Sequence, residues 1–142
     1  MITIGPGYDL PTFVVDEVSG EHIRQVALIL DDPNPIHFDL AAVAAAGMGT
    51  REINQGGSTM AYIVNMLTAW TGSRSALKRI KCRFRDNVRA GDTVTAGGVI
   101  LEVTGRGATR RALCEVWADR GDGRRVIDGT AIVMIPETSQ SA

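Results

Sequence analysis

The sequence predicts an α+β fold in which an antiparallel sheet wraps around one long helix. Three observations favour this class. Residues 56–70 (GGSTMAYIVNMLTAW) are apolar on nearly every side, which is typical of a helix inside a protein. After Gly72 the apolar residues alternate with polar ones, as in a strand with one buried face. Helical patterns lie mostly in the first half of the chain and strand patterns in the second.

The first half of the chain predicts a short strand and then two capped helices. Residues 12–18 (TFVVDEV) are rich in β-branched side chains, which favour a strand. Ser19 is placed to cap a helix over residues 20–30, and a proline-rich segment ends that helix. Asp39 is expected to cap a second, short helix over residues 40–46. The predicted buried face of the first helix comprises Ile23, Val26, Ala27 and Leu30.

The central helix and the strands of the sheet follow. The one polar residue inside the apolar helix, Asn65, is interpreted as a satisfied core amide. Residues 93–104 predict a strand, with a possible β-bulge at Gly97-Gly98. Residues 111–119 and 124–135 predict a hairpin. Another strand, before these, alternates basic residues with the apolar Ile80, Cys82 and Phe84.

Length and composition describe an ordinary globular chain. The 142 residues favour a single domain over residues 1–142, with a core of about residues 12–135 and a disordered tail, PETSQSA, over 136–142. A hydrophobic content of 44% and a charged content of 22% are usual for soluble proteins. The net charge of −1 gives no indication of a nucleic-acid partner.

Cysteine use and apolar run length predict the compartment. Cys82 and Cys114 form no closely spaced pair, so free thiols in a reducing environment are expected. The N-terminus lacks a basic stretch followed by an apolar run, which argues against a signal peptide. The apolar runs are shorter than the roughly 20 residues that span a bilayer. We therefore expect a cytoplasmic protein without a membrane partner.

The segment 31–39 (DDPNPIHFD) carries the first candidate chemistry. Pro33 and Pro35 fix their own φ angles and push the residues before them into extended conformations. A stiff segment of this kind can aim Asp32 and His37 into one cleft, where an acid and an imidazole can move protons to and from a water. The Asn34 amide can orient either side chain or the backbone. A surface hydrogen bond between Asp32 and His37 is the alternative interpretation.

A second candidate feature is Gln55-Gly56-Gly57-Ser58, at the start of the central helix. Free N–H groups at a helix N-terminus favour a negatively charged oxygen, and glycine lets a substrate approach the backbone closely. A thioester enolate is such an anion. The alternative is an ordinary helix start capped by Ser58.

These residues resemble a known family. DPNPIHFD matches each fixed position of D-x-N-P-x-H-x-[DE], the hydratase motif of the MaoC-like family, which includes the (R)-specific enoyl-CoA hydratases. RFRDNVRAGDTV, residues 83–94, is similar to the strand, turn and strand after that family's central helix. The resemblance covers roughly residues 12–135. It implies a hot dog fold and a homodimer, with a heteromer of two different chains as an alternative.

The resemblance also implies a reaction and residue roles. Asp32 and His37 would be the catalytic pair, holding the water that adds to Cβ of a trans-2-enoyl thioester or leaves a 3-hydroxyacyl thioester. The Gly56 N–H would stabilise the enolate oxygen, and Asn34 would orient the pair. No metal or redox cofactor is implied. The substrate would be an acyl-CoA or an acyl carrier protein thioester, and the R stereochemistry is implied by the family alone.

Several alternatives stay open at this point. Gln55 stands where the family usually has histidine, and Asp31 where it usually has a small residue, so the substrate can differ from a simple enoyl-CoA. Asp31 is expected to point to solvent. The basic residues between Lys78 and Arg89 either attract substrate phosphates or form a solvated sheet face. A polyketide dehydratase, a subunit of a heteromeric hydratase and a hot dog thioesterase are the competing functions.

Overall fold

Five strands form one antiparallel sheet in the computed structural model, which describes residues 3–135. The strand order is β1-β3-β4-β5-β2. The strands are β1 (Phe13–Val15), β2 (Leu77–Phe84), β3 (Val94–Thr104), β4 (Arg111–Arg120) and β5 (Arg125–Met134). The α-helices are α1 (Gly20–Ile29), α2 (Leu40–Ala45) and α3 (Gly56–Thr71), and 3₁₀-helices span Pro35–His37, Arg74–Ala76 and Gly107–Thr109. The predicted disordered tail, 136–142, lies outside the described residues.

The local signals in the first half place the helices correctly. The Ser19 side chain accepts a hydrogen bond from the His22 N–H at 3.1 Å, and the Asp39 side chain accepts from the first N–H groups of α2. Both predicted caps are therefore confirmed. The predicted strand over residues 12–18 is shorter in the structure, because only Phe13–Val15 pair with β3. Leu30 was predicted to be buried, and this is wrong, since it lies beyond the last turn of α1 and is 62% exposed.

The long helix α3 packs against the sheet, as the resemblance to the hot dog fold implies. Ile63, Met66 and Leu67 are buried against the core face of the sheet, and Gly72 ends the helix in the left-handed region with φ 73°. The prediction that Asn65 is a core amide is wrong. Asn65, Ala61 and Ala69 share one side of α3 and are exposed, because the sheet of one chain covers only the opposite side of the helix.

The predicted bulge lies elsewhere in β3. Gly97 and Gly98 pair regularly with Trp117 and Val116, and the register shift falls between Ile100 and Glu102. The two glycines instead make space. A Cβ at Gly97 would lie 2.7 Å from Trp117 Nε1, and one at Gly98 would lie 2.8 Å from the Glu115 carbonyl oxygen. The prediction mistook a packing requirement for a break in the ladder.

The hairpin of β4 and β5 forms the centre of the sheet and supplies much of the core. The fully buried residues on its inner face include Ala112, Cys114, Val116, Ala118, Ile127, Ala131 and Val133. The small size of several of these side chains lets α3 approach the sheet closely. None of the helices in residues 3–135 is both long enough and apolar enough to cross a membrane.

Candidate active site

The turn after α1 places the candidate acid. Asp31 adopts φ 50°, a left-handed conformation that aspartate and asparagine tolerate better than most residues. It follows Leu30, the C-cap of α1, and its side chain is exposed, as predicted. The Asp32 N–H then donates to the Ala27 carbonyl oxygen at 2.9 Å. This hydrogen bond fixes the start of the proline segment against the last turn of α1.

The two carboxylate oxygens of Asp32 have different surroundings. Oδ1 accepts a hydrogen bond from the Asn34 N–H at 3.0 Å, and Oδ2 lies 3.4 Å from His37 Nε2. The Asn34 side chain accepts from the Ile36 N–H at 3.3 Å and caps the 3₁₀-helix that carries His37. Asn34 therefore acts on the backbone and contacts neither His37 nor Asp32 through its amide. The prolines and these hydrogen bonds hold the acid and the imidazole together.

His37 is buried, and its tautomer follows from its partner. Its Nδ1 lies 2.6 Å from the Ile53 carbonyl oxygen, which can only accept, so Nδ1 carries the proton. In the neutral ring Nε2 then presents a lone pair toward Asp32 Oδ2. Two acceptors cannot form a hydrogen bond with each other, but a water beside them can donate one proton to each.

Sequence reasoning missed the segment that orients the imidazole. The Ile53 N–H donates to the Ile36 carbonyl oxygen at 3.0 Å, while the Asn54 N–H donates to the Val88 carbonyl oxygen at 2.7 Å. This double pairing places Ile53 between the 3₁₀-helix of His37 and the turn before β3. The group that fixes His37 is a backbone carbonyl sixteen residues away, for which no residue type is a signal.

The first turn of α3 lies directly after this segment. Gln55 is the N-cap, without a side-chain capping hydrogen bond, so the alternative of a Ser58 cap is wrong. The first hydrogen bond of the helix runs from the Thr59 N–H to the Gln55 carbonyl oxygen, at 3.1 Å. The N–H groups at Gly56, Gly57 and Ser58 precede the helical ladder and point outward from the helix end. They form the kind of site that attracts a negatively charged oxygen.

Phe84 is a residue that the sequence did not assign to the site. A Cβ built at Gly56 would lie 3.1 Å from Phe84 Cε1, so the ring already occupies the space of a side chain there. Phe84 is 55% exposed and therefore does not belong to the buried face predicted for its strand. The ring therefore places an apolar surface against the first residue of α3.

Gln55 connects the start of α3 to α1. Its Nε2 donates to the Ile23 carbonyl oxygen at 2.8 Å, and the residue is 4% exposed. Its Oε1 is buried and has no hydrogen-bond partner. The glutamine side chain thus joins the start of α3 to α1.

The basic strand β2 presents its charges outward. Lys78, Arg79, Lys81 and Arg83 are exposed, and Arg85 pairs with Asp128 through Nε at 2.9 Å. A groove of about 240 Å³ lies beside Arg79 and Lys81 on the outer face of the sheet. A solvated outer face accounts for these positions, and attraction of substrate phosphates stays a prediction.

The arrangement defines a class of chemistry. It combines an acid–imidazole pair that can exchange protons with a water and free N–H groups that can stabilise an oxyanion. In residues 3–135 no three His, Cys, Asp or Glu side chains converge as metal ligands would. The fold is that of a hot dog protein, and the Asp32–His37 pair is its candidate site for proton transfer.

The chain belongs to the MaoC-like domain family, a dehydratase family whose model matches residues 7–116. Membership supports hydratase or dehydratase chemistry as the general class of activity. None of the curated proteins matches the chain significantly.

Solved structures share the fold. The chain is similar to the (R)-hydratase PhaJ1 of Pseudomonas aeruginosa in unliganded form, with TM-score 0.79, 21% identity and coverage of 94% of this chain and 83% of that one. It is similar to an (R)-hydratase of A. caviae involved in PHA biosynthesis, with TM-score 0.81, 19% identity and coverage of 96% and 100%. A C-terminally truncated HadBC complex of Mycobacterium tuberculosis, a (3R)-hydroxyacyl-ACP dehydratase, gives TM-score 0.71, 18% identity and coverage of 94% and 99%. These TM-scores establish a shared fold.

Proposed function

We propose that this protein adds water to the Cα=Cβ bond of a trans-2-enoyl thioester, or removes it from an (R)-3-hydroxyacyl thioester, with coenzyme A as the thiol. The observation that carries the proposal is the separation of 3.4 Å between His37 Nε2 and Asp32 Oδ2. The other atom of each group is already engaged, by Ile53 and by Asn34. A water beside these two free acceptors can donate one O–H to each of them.

The mechanism uses both acceptors. The water donates one O–H to His37 Nε2 and the other to Asp32 Oδ2. One of them removes a proton as the water oxygen bonds to Cβ, and a proton reaches Cα through the same pair. In the reverse direction the pair protonates the leaving hydroxyl and removes the Cα proton. The two directions share one site, so substrate supply decides which one runs.

The developing enolate needs a separate partner. The Gly56 N–H, at the N-terminus of α3, donates to the thioester oxygen as negative charge develops there. The Phe84 ring lies next to this glycine and supplies an apolar surface beside it. Asn34 acts as a positioning residue, because its side chain caps the helix of His37 and its N–H fixes Asp32. The reaction requires no metal and no redox cofactor.

The second candidate differs in the substrate carrier and the assembly. The similarity to a hydroxyacyl-ACP dehydratase complex supports an acyl carrier protein substrate, a polyketide intermediate, or a heteromer with a second hot dog chain. A hot dog thioesterase would use an acid and water on the carbonyl carbon. A thioesterase does not need the imidazole held by Ile53, so we rank it below the CoA hydratase and the carrier-protein dehydratase.

We place the working protein in the cytoplasm as a homodimer. Cys82 and Cys114 form no disulfide, which suits a reducing compartment. Three consecutive apolar residues at the end of α1, Leu28, Ile29 and Leu30, are exposed in the single chain. Strand β2 also lies at an edge of the sheet. Exposed apolar residues and an open sheet edge are features that a partner chain covers.

The test is the loss of enoyl-thioester absorbance with purified protein and trans-2-enoyl-CoAs of increasing chain length. We expect Asp32→Asn and His37→Gln each to lower kcat/KM by roughly 10²-fold or more, because both groups take part in proton transfer. Asp16→Asn, at an exposed carboxylate of the β1–α1 loop, is the matched control and should keep wild-type activity. Thermal unfolding of all three variants verifies that they fold.

Three results would contradict the proposal. Full activity in Asp32→Asn and His37→Gln would show that these two residues are not catalytic. Hydrolysis of the thioester, detected as free thiol, at a rate above hydration would favour the thioesterase. If the wild type hydrates carrier-bound enoyl thioesters and not enoyl-CoAs, the second candidate replaces the first.

A further inference from the structure

A cleft of about 250 Å³ lies between β1, the start of α1 and α3, and the mechanism above does not use it. Val15 and Val18 form apolar walls, and Asn54 and Tyr62 lie deeper in the cleft. Glu17 and His22 are exposed at its rim. Asn54 is 5% exposed, so the cleft ends on a buried polar group. A cleft with apolar walls and a polar group at its end is a candidate for binding a small polar group.

The hydrogen bonds of Asn54 fix the orientation of its amide. Nδ2 donates to Thr59 Oγ1 at 2.9 Å and to Tyr62 Oη at 3.3 Å. The Thr59 hydroxyl donates to the Gln55 carbonyl oxygen at 3.4 Å, so its oxygen is free to accept from Asn54. Both N–H groups of the amide are therefore used inside the protein. The carbonyl oxygen Oδ1 is the part of Asn54 that can accept a hydrogen bond in the cleft.

Tyr62 supplies the complementary group. Its oxygen accepts from Asn54, which leaves its O–H free to donate. Burial raises the pKa of the Tyr62 hydroxyl, so it keeps its proton through the physiological range. The cleft thus presents one donor, the Tyr62 O–H, beside one acceptor, Asn54 Oδ1. Such a pair matches a neutral group that both accepts and donates.

We propose that this cleft binds a neutral hydroxyl or secondary amide of the thioester substrate, through the Tyr62 O–H and Asn54 Oδ1. The inference rests on the proposed function and extends it to substrate choice. A carboxylate is disfavoured because Asn54 Oδ1 and Glu17 would repel it. A wholly apolar chain would leave the donor and the acceptor without partners, at the cost of their desolvation.

The position of the cleft links it to the site. Asn54 follows Ile53, which holds His37, and it precedes Gln55 and Gly56 at the start of α3. A substrate whose thioester oxygen lies at Gly56 therefore has the cleft at the same end of the helix. Two parts of the substrate carry the matching chemistry. One is a hydroxyl further along the acyl chain, and the other is an amide of the pantetheine arm.

The experiment compares two substrates and two tyrosine variants. The substrates are a trans-2-enoyl-CoA and the same compound with a terminal hydroxyl on the acyl chain. Tyr62→Phe removes only the hydroxyl from the cleft. Tyr8→Phe is the matched control, because Tyr8 is the other of the two tyrosines and stacks on Trp70. Steady-state kinetics then separates KM from kcat.

We expect Tyr62→Phe to raise KM roughly tenfold with little change in kcat, the effect of one lost hydrogen bond of about 1.4 kcal/mol. A rise for the hydroxylated substrate alone assigns the cleft to the acyl hydroxyl. An equal rise for both substrates assigns it to the pantetheine amide. Unchanged KM for both substrates overturns the proposal.

A binding measurement separates this proposal from the proposed function. Non-hydratable S-alkyl-CoA thioethers, with and without the terminal hydroxyl, are titrated by calorimetry into wild type and Tyr62→Phe. If the protein hydrates no enoyl thioester but Tyr62→Phe binds the thioethers more weakly than the wild type does, the proposed role of the cleft is supported and the proposed reaction is contradicted. Equal dissociation constants in both proteins, or no binding of either thioether, would contradict the proposed role of the cleft.

Discussion

At the scale of single residues, the candidate site depends on what each polar atom already contacts. Asp32 Oδ1 and His37 Nδ1 are held by backbone groups, and this leaves Oδ2 and Nε2 free for the proposed reaction. The identity of the two residues follows from the sequence. Which atom of each is free follows only from their partners. A conservative substitution at Asp32 or His37 is therefore expected to affect activity mainly by altering the hydrogen bonds of these atoms.

Asp31 illustrates this on the adjacent residue. Its φ of 50° is costly for a β-branched side chain and tolerated by aspartate, asparagine and glycine. We expect Asp31→Val to lower the free energy of unfolding by about 1–2 kcal/mol, while Asp31→Asn stays within about 0.5 kcal/mol of wild type. Urea unfolding measures both. A loss of stability in Asp31→Asn as large as in Asp31→Val would show that the carboxylate, and not the backbone conformation, matters.

The buried thiol of Cys114 gives a prediction about pH. Burial raises its pKa to about 11, whereas an unfolded thiol titrates near about 8.5. The folded state therefore holds the proton more tightly. The stability that Cys114 contributes is complete below about pH 8.5 and decreases toward pH 11, by up to roughly 1.4 kcal/mol per pH unit.

The measurement is urea unfolding from pH 7 to pH 10 in wild type and Cys114→Ala. The pKa values of Cys82 and Tyr62 are also raised by burial, so both proteins share that part of the slope. We expect the alkaline loss of stability to be smaller in Cys114→Ala, whatever its stability at pH 7. Parallel pH profiles would show that the Cys114 thiol does not titrate as its burial requires.

At the scale of elements, the first turn of α3 is the part of the fold on which the site depends. Its two glycines have different neighbours. A Cβ at Gly56 meets the Phe84 ring at 3.1 Å, and a Cβ at Gly57 meets nothing within 4 Å. At the first position an added methyl group would therefore press on the Phe84 ring of β2. The second is a helical position at which glycine only lowers stability.

This difference gives a matched pair of variants. We expect Gly57→Ala to raise the free energy of unfolding by about 0.5–1 kcal/mol and to keep activity. Gly56→Ala should lower kcat roughly 10²-fold, because the methyl group displaces Phe84 and obstructs the N–H that meets the enolate. Hydration kinetics and thermal unfolding measure the two effects. Wild-type kcat in Gly56→Ala would remove this N–H from the mechanism.

At the scale of the whole molecule, one chain leaves apolar surface exposed. Leu28 and Ile29 are 82% and 81% exposed, and one side of α3, with Ala61 and Asn65, also faces outward. Apolar surface of this kind is commonly buried in an assembly. The single sheet and single core of residues 3–135 favour one cooperative unfolding unit within that assembly.

A dimer makes thermal stability depend on concentration. We expect the Tm to rise when the protein concentration is raised 100-fold, because dissociation accompanies unfolding, and we expect sedimentation to give twice the mass of 15.2 kDa. A Tm independent of concentration together with a monomer mass would contradict the homodimer. A monomer that gains activity on mixing with a second hot dog chain would support the heteromer.

The sequence by itself determined the local features. The Ser19 and Asp39 caps, the bounds of α1 and α3 to within one residue and the hairpin of β4 and β5 follow from periodicity and capping, which act within a few residues. The same is true of the stiff segment that carries Asp32 and His37. Each of these depends on residue types at fixed spacing, so the pattern is visible before folding.

The tertiary structure alone decided which distant groups meet. It placed the Ile53 carbonyl on His37, the Phe84 ring on Gly56, the bulge after Ile100 and the exposed side of α3 at Asn65. These features depend on strand register and on how α3 docks on the sheet. A backbone carbonyl has no residue-type signature, and the exposed face of a helix is set by what covers the other face. Spacing along the chain does not specify either one.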